Sequence, residues 1–258
     1  MARQGRPRIR RGRRRRGRRI RRWRSRGLAI GLVAAGLAAF YLWWSPSPPQ
    51  NPDDLCSIFA EKRSWYRSAR SSYETWGVPE AVQLAVIHQE SGFRAHARPP
   101  RRKFLWILPG RRWSSAYGYT QAIDATWQEF RDKSGRSDAD RHRFADAAHF
   151  VGWYGGEIHR LTGIAKDDAY RLYLAYHEGP AGYSRGSHQA KPWLLATARR
   201  VAERARIYQR QYDGCAGSLR RQELWRRVKL AGLLVLAALA GWGLWRYRRR
   251  RKKPRAVR

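Results

Sequence analysis

Acid is scarce in this chain: against 55 Lys and Arg, its 258 residues hold 19 Asp and Glu, a formal net charge of +36. The first 27 residues carry 15 basic residues and no acid, and residues 246–258 carry nine and no acid. Tails of that composition have almost nothing to bury and are not expected to fold alone. Cysteine is scarcer still, with Cys56 and Cys215 the two present, which excludes a multi-disulfide scaffold. Without a C-x-x-C or H-x-x-x-H pair the chain also has too few ligands for a metal site, and no cofactor is expected. Runs that alternate in the manner of a strand are missing, and no internal repeat is found. What is present in quantity is apolar surface. With 43% hydrophobic residues and 13 Trp, the middle of the chain can build a core of one-domain size, so collagen and wholesale disorder are excluded.

After the basic tail 1–27 come seventeen residues without a charge, Leu28 to Trp44. At 1.5 Å per residue they reach about 25 Å, nearly a hydrocarbon core, with Tyr41, Trp43 and Trp44 at the lipid-water boundary. The bulky Phe40–Trp44 end leaves no small-x-small cleavage site, so an uncleaved anchor is preferred to a signal peptide. Residues 45–54 hold Pro46, Pro48, Pro49 and Pro52 and are expected to be a stiff extended spacer. A folded domain is expected over 55–215, a juxtamembrane linker over 216–229, a second, short span over 230–245, and a basic tail over 246–258. Basic flanks put both termini in the cytoplasm and the domain outside the inner membrane of a bacterium. The tails also suit anionic lipid; nucleic acid is not expected as a partner, because no recognition motif accompanies the arginines.

Apolar spacing within the domain is helical. Phe144, Ala147, Val151, Tyr154, Ile158 and Leu161 recur every three or four residues, as do Leu194, Ala198, Val201, Ala205, Tyr208 and Tyr212. Pro79 suits the first turn of a helix carrying Val82, Ala85, Val86 and Gln89 that stops near Gly92. Cys56 and Cys215 bracket the domain. In an oxidising compartment they suit one disulfide; two buried thiols are the alternative.

The helix before Gly92 ends Ile87-His88-Gln89-Glu90-Ser91. A carboxylate there meets the negative end of the helix dipole and apolar neighbours, and both raise its pKa. A carboxylic acid kept protonated near neutrality is what cleavage of a glycosidic bond needs; an ordinary exposed Glu at a helix end is the plain alternative. Further on come Gly118-Tyr119-Thr120-Gln121, then Ala175-Tyr176-His177-Glu178-Gly179, then Tyr208 to Tyr212.

In this order the four motifs resemble the soluble lytic transglycosylase (SLT) domain, over roughly residues 78–212. The resemblance implies a mainly α, lysozyme-like helical domain, here set between two transmembrane helices, whose partner is the glycan strand of peptidoglycan. It implies cleavage of the β-1,4 bond between N-acetylmuramic acid and N-acetylglucosamine without addition of water, leaving 1,6-anhydromuramoyl ends. Glu90 would be the acid and base. Ser91, Gln121, Tyr176, His177 and one of Tyr208 or Tyr212 would contact the sugar or the acid. Tyr119 and Thr120 replace the family's Leu-Met, and His177 replaces its Asn. Glu178 leaves a hydrolytic, goose-lysozyme-like reaction open, and a membrane-anchored protein that binds peptidoglycan without cutting it is the reading from another class.

Residues 98–115 separate the first two motifs by more than the family usually does. Pro99, Pro100 and Pro109 argue against a helix, and basic residues flank the apolar run Phe104–Leu108. Either this segment is a hairpin folded back as extra core, or it is a lid in which Trp106 or Trp113 stacks on a sugar; a membrane-dipping tip is the third choice.

Overall fold

The computed structural model describes residues 47–104, 108–112 and 114–251. The expected first span, 28–44, the tail before it, and Trp106 and Trp113 lie outside the described residues.

Asp54 opens helix α1 (Leu55–Glu61), its carboxylate accepting from the Ser57 amide at 3.1 Å, a cap that contributes about 1 kcal/mol. Helix α2 (Arg63–Trp76) stops at Gly77 in the left-handed region. Helix α3 (Glu80–Ser91) follows Pro79 and ends at Gly92, φ 58°, as its sequence predicts. It is buried on every side from Glu80 to Ile87, as befits a helix with no polar face. Helices α4 (Asp124–Ser134), α5 (Phe144–Thr162), α6 (Ala169–Glu178), α7 (Pro180–Ser184) and α8 (Pro192–Arg251) complete the chain.

Around α3 the others pack: α5 against its side and against α2, α8 against both α3 and α6. Trp65 of α2 stacks flat on Phe144 of α5, ring centres 3.9 Å apart. The two helices approach closely because position 152 is glycine; a Cβ there would stand 2.3 Å from the Ser72 hydroxyl. The predicted stripe Leu194, Ala198, Val201, Ala205, Tyr208 and Tyr212 is the buried face of α8.

Strands are present although no run of the sequence alternates in the manner of a strand. Arg101–Phe104 (β1) and Leu108–Arg112 (β2) pair antiparallel, Phe104 opposite Leu108 and Arg101 opposite Arg112, with an irregularity between Arg101 and Lys103. Two strands make two edges, so Pro109 is tolerated without its amide. The 98–115 insertion thus contains an antiparallel strand pair, and the domain remains mainly α.

Three further expectations need correction. Residues 47–54 do not stand off as a spacer: Pro49 is buried, Tyr208 donates to the Pro52 carbonyl, and Gln211 donates to the Asp53 carbonyl at 3.1 Å. Residues 216–229 are not a linker but uninterrupted α8, with Leu219 buried and Glu223 paired to Arg67 of α2 at 3.2 Å. The run 230–245 continues the same helix, yet among the described residues no helix is long and apolar enough to cross a membrane. Sixteen residues between Lys229 and Arg246 rise about 24 Å, short of a hydrocarbon core of about 30 Å.

Cys56 of α1 and Cys215 of α8 form the expected disulfide across 159 residues. Loop-closure entropy gives such a bridge about 5 kcal/mol. The Cys56→Ser/Cys215→Ser protein should therefore melt well below wild type in thermal unfolding, and the oxidised, denatured wild type should show no titratable thiol. An unchanged melting temperature would mean that the tie between α1 and α8 is carried by packing alone.

Candidate active site

Helix α3 leaves the core only in its last turn, where His88, Gln89 and Glu90 become partly exposed. Gly92 and Phe93 both take left-handed backbone, φ 58° and 60°. For a phenylalanine this costs on the order of 1–3 kcal/mol, offset by complete burial of its ring between Trp65 and His88. The sharp turn ends the helix and leaves Glu90 on the wall of a cleft of about 470 Å³, with Gln121, Phe150, Tyr154, Tyr176 and His177 around it.

Although the cleft is open, protein surrounds the Glu90 carboxyl, and desolvation raises its pKa to about 7; a hydrogen bond from Tyr173 works in the opposite direction. Tyr173 and Tyr176 sit one turn apart on α6 with near-parallel rings, 9° between planes. Burial and the neighbouring Glu90 push both phenols up. The Tyr176 hydroxyl donates to the Thr120 carbonyl at 2.9 Å, tying α6 to the turn that carries Gln121.

That turn is closed by a bridge between Tyr117 and Ala122. Gly118 has φ 77°, and a Cβ there would lie 2.2 Å from the Arg141 carbonyl oxygen, so no other residue fits. Arg141 clamps the turn from below, donating to the Ser115 carbonyl at 3.0 Å, the Ala122 carbonyl at 2.9 Å and Asp124 at 2.7 Å. Gln121, itself at φ 49°, spends its amide hydrogens on the Ala97 and Gly118 carbonyls, at 3.0 and 2.8 Å. Only its oxygen remains to accept from a ligand. Tyr119 and Thr120 are fully buried, Tyr119 packing edge-on against Trp65 and Phe144; these two residues fill core positions and offer nothing to the cleft.

Glu178, the second carboxylate on the cleft wall, has the opposite environment. Lys191 donates to both its oxygens at 2.7 and 2.9 Å, and Ser187 and His177 add further bonds. The Lys191 bond, then the Ser187 bond, lower its pKa to about 2.

Of the residues expected at the site, Glu90, Gln121, Tyr176 and His177 come together in the cleft. Ser91 does not: it is buried and its hydroxyl donates back to the Ile87 carbonyl at 3.1 Å. Neither late tyrosine reaches it. Tyr208 bonds Pro52, and Tyr212 donates to Glu80, at the far end of α3, at 3.1 Å. The hydroxyl beside Glu90 is that of Tyr173, three residues before Tyr176 on one helix face, a spacing visible in the sequence. Trp193, 57% exposed and edge-on to His177 at 5.1 Å, was also missed. Among the described residues no group of three or more His, Cys, Asp or Glu is arranged to hold a metal.

A carboxylic acid that titrates near 7 in an open cleft can hand a proton to an ether oxygen and take one back. The model of the transglycosylase SLT domain matches residues 28–215, and the chain belongs to that family. No curated protein and no solved structure matches it.

Because the folded state holds the Glu90 proton more tightly than the unfolded chain, this burial is harmless below about pH 4.5 and destabilises as pH rises through about 7. The shift from 4.5 to about 7 corresponds to about 3 kcal/mol. Glu90→Gln should accordingly match wild type in denaturant melts near pH 4 and exceed it at pH 8 by up to that amount. Equal stability at both pH values would show that the carboxyl is solvated. Tyr173→Phe should raise the Glu90 pKa further, as it removes a donor to the charged form; carboxyl titration followed by NMR reads this directly.

Proposed function

We propose that this protein is a peptidoglycan lytic transglycosylase, a lyase that cuts the β-1,4 bond between N-acetylmuramic acid and N-acetylglucosamine. The observation that carries this reading is the contrast between two carboxyl groups on one cleft wall, Glu90 held at about 7 and Glu178 at about 2. Glu90 donates its proton to the glycosidic oxygen as the bond to the anomeric carbon breaks. The muramoyl 6-hydroxyl oxygen then bonds to that carbon, its proton returning to Glu90, so no water is consumed and a 1,6-anhydromuramoyl end is left. The nucleophile belongs to the substrate, and a second free carboxylate is unnecessary.

Hydrolysis would need Glu178 as base. With a pKa of about 2 and a lysine on both oxygens, Glu178 is a weak base in a fixed position, which favours the anhydro product. A pure binding role gives no use for an acid that burial destabilises. Gln121 accepts from the muramoyl sugar through its oxygen, and His177 with Trp193 forms one rim. The Cys56–Cys215 bridge supports a periplasmic location for the domain, where such bonds persist and the substrate lies.

Wild type incubated with peptidoglycan should release anhydromuropeptides, seen by mass spectrometry, and Glu90→Gln should release them at least about a hundredfold more slowly, the usual scale of general acid–base catalysis. Turnover should fall as pH rises through about 7, because only the acid form of Glu90 donates. Reducing-end products would make the enzyme a hydrolase, and intact sacculi would make it a binder.

A further inference from the structure

A second cleft, of about 500 Å³, lies between α2 and the part of α8 that follows the disulfide. It is remote from the glycan site. Arg70 on its wall reaches Glu80, the first residue of α3, at 3.3 Å, whereas Glu90 stands ten residues further along that helix, about 15 Å away.

Four arginines face this cleft, Arg67, Arg70, Arg220 and Arg227, against two glutamates, Glu74 and Glu223. The acids are already taken. Glu223 pairs with Arg67 at 3.2 Å and with Arg226 at 2.9 Å, and Glu74 pairs with Arg70 at 2.9 Å. Arg220 and Arg227 are exposed and meet no acidic partner among the described residues. They stand seven residues apart, on one face of α8 with Leu224 between them. A tyrosine, Tyr66, completes the wall. Continued by another seven residues, the same face carries Leu234, 72% exposed, with Leu230 and Leu233 beside it, also exposed.

Positive charge with two open guanidinium forks, followed within about 10 Å along one helix face by bare aliphatic surface, matches one ligand shape: a phosphodiester carrying long alkyl chains. We infer that this cleft binds an anionic phospholipid, the phosphate between Arg220 and Arg227 and the acyl chains along Leu230–Leu234. Guanidinium groups hold phosphate oxygens in pairs, which a lysine ammonium does not do. The site requires no membrane crossing; it docks α8 on a lipid surface. It is independent of the chemistry at Glu90.

The test uses the full-length protein in neutral detergent, titrated with phosphatidylglycerol or phosphatidylcholine, with retained lipid counted by native mass spectrometry. Wild type should keep one phosphatidylglycerol at concentrations where phosphatidylcholine is lost. Arg220→Lys/Arg227→Lys preserves charge and helix propensity, so folding and general attraction persist. It should nevertheless weaken phosphatidylglycerol retention by about fivefold, through loss of the paired bonds. A matched change in the basic tail, Arg248→Lys/Arg249→Lys, should leave retention unaltered. Equal retention by the Arg220/Arg227 lysine variant and wild type, or equal retention of the two lipids, would overturn the site. Displacement of the lipid by an equal concentration of glycerol 3-phosphate would reassign the cleft to soluble phosphates and overturn the lipid reading.

Discussion

Everything at the cleft depends on where one buried helix comes to an end. From Glu80 to Ile87 helix α3 is enclosed by its neighbours, and it meets solvent only in its final turn. A carboxyl group introduced earlier would have no route to a substrate, and one introduced later would be solvated like any surface glutamate. Glu90 falls between, close enough to water to exchange a proton and far enough inside for desolvation to govern its charge. The left-handed pair Gly92 and Phe93 fixes this endpoint. Burial of the Phe93 ring holds in place the backbone strain that turns the chain away.

The opposing wall is built to hold rather than to react. Gly118, Arg141 and the Tyr176 hydroxyl all act on the backbone of the Gln121 turn, so Gln121 presents its oxygen from a frame tied to α6 on one side and to the loop before α5 on the other. Lys191 and Ser187 do the same for Glu178. Such a framework places the polar groups of the cleft before any ligand arrives, which is the condition for charge stabilisation at low reorganisation cost.

Much of this was legible from spacing. The period of three to four residues gave α5 and the first third of α8, Pro79 and Gly92 gave both ends of α3, and the apolar neighbours of Glu90 gave the direction of its shift, which burial causes. The misses have a common origin. Tyr208 and Tyr212 sit at helical spacing in an apolar stripe, and sequence cannot tell which buried hydroxyl faces a cleft and which faces Pro52 or Glu80. Tyr119 and Thr120 look like hydrogen-bonding replacements, yet the turn at Gly118 points them into the core. Residues 47–54 read as a spacer from their prolines, but their partners, Tyr208 and Gln211, lie more than 150 residues away. Contacts at that separation leave no local pattern.

Helix α8 begins at the rim of the cleft, beside Trp193, and runs without interruption to Arg251. From Trp193 to Leu230 the axial rise is about 55 Å. With the disulfide, the Glu223–Arg67 pair and the packed stripe 194–212 all gripping the first 32 of its 60 residues, this helix is a strut and not a tether. An apolar end seated in lipid would hold the cleft at a set height, so that a glycan-cutting site in it would reach one depth of the wall and spare strands nearer or farther. Chain geometry would then select among chemically identical bonds, a form of specificity that no side chain in the cleft supplies.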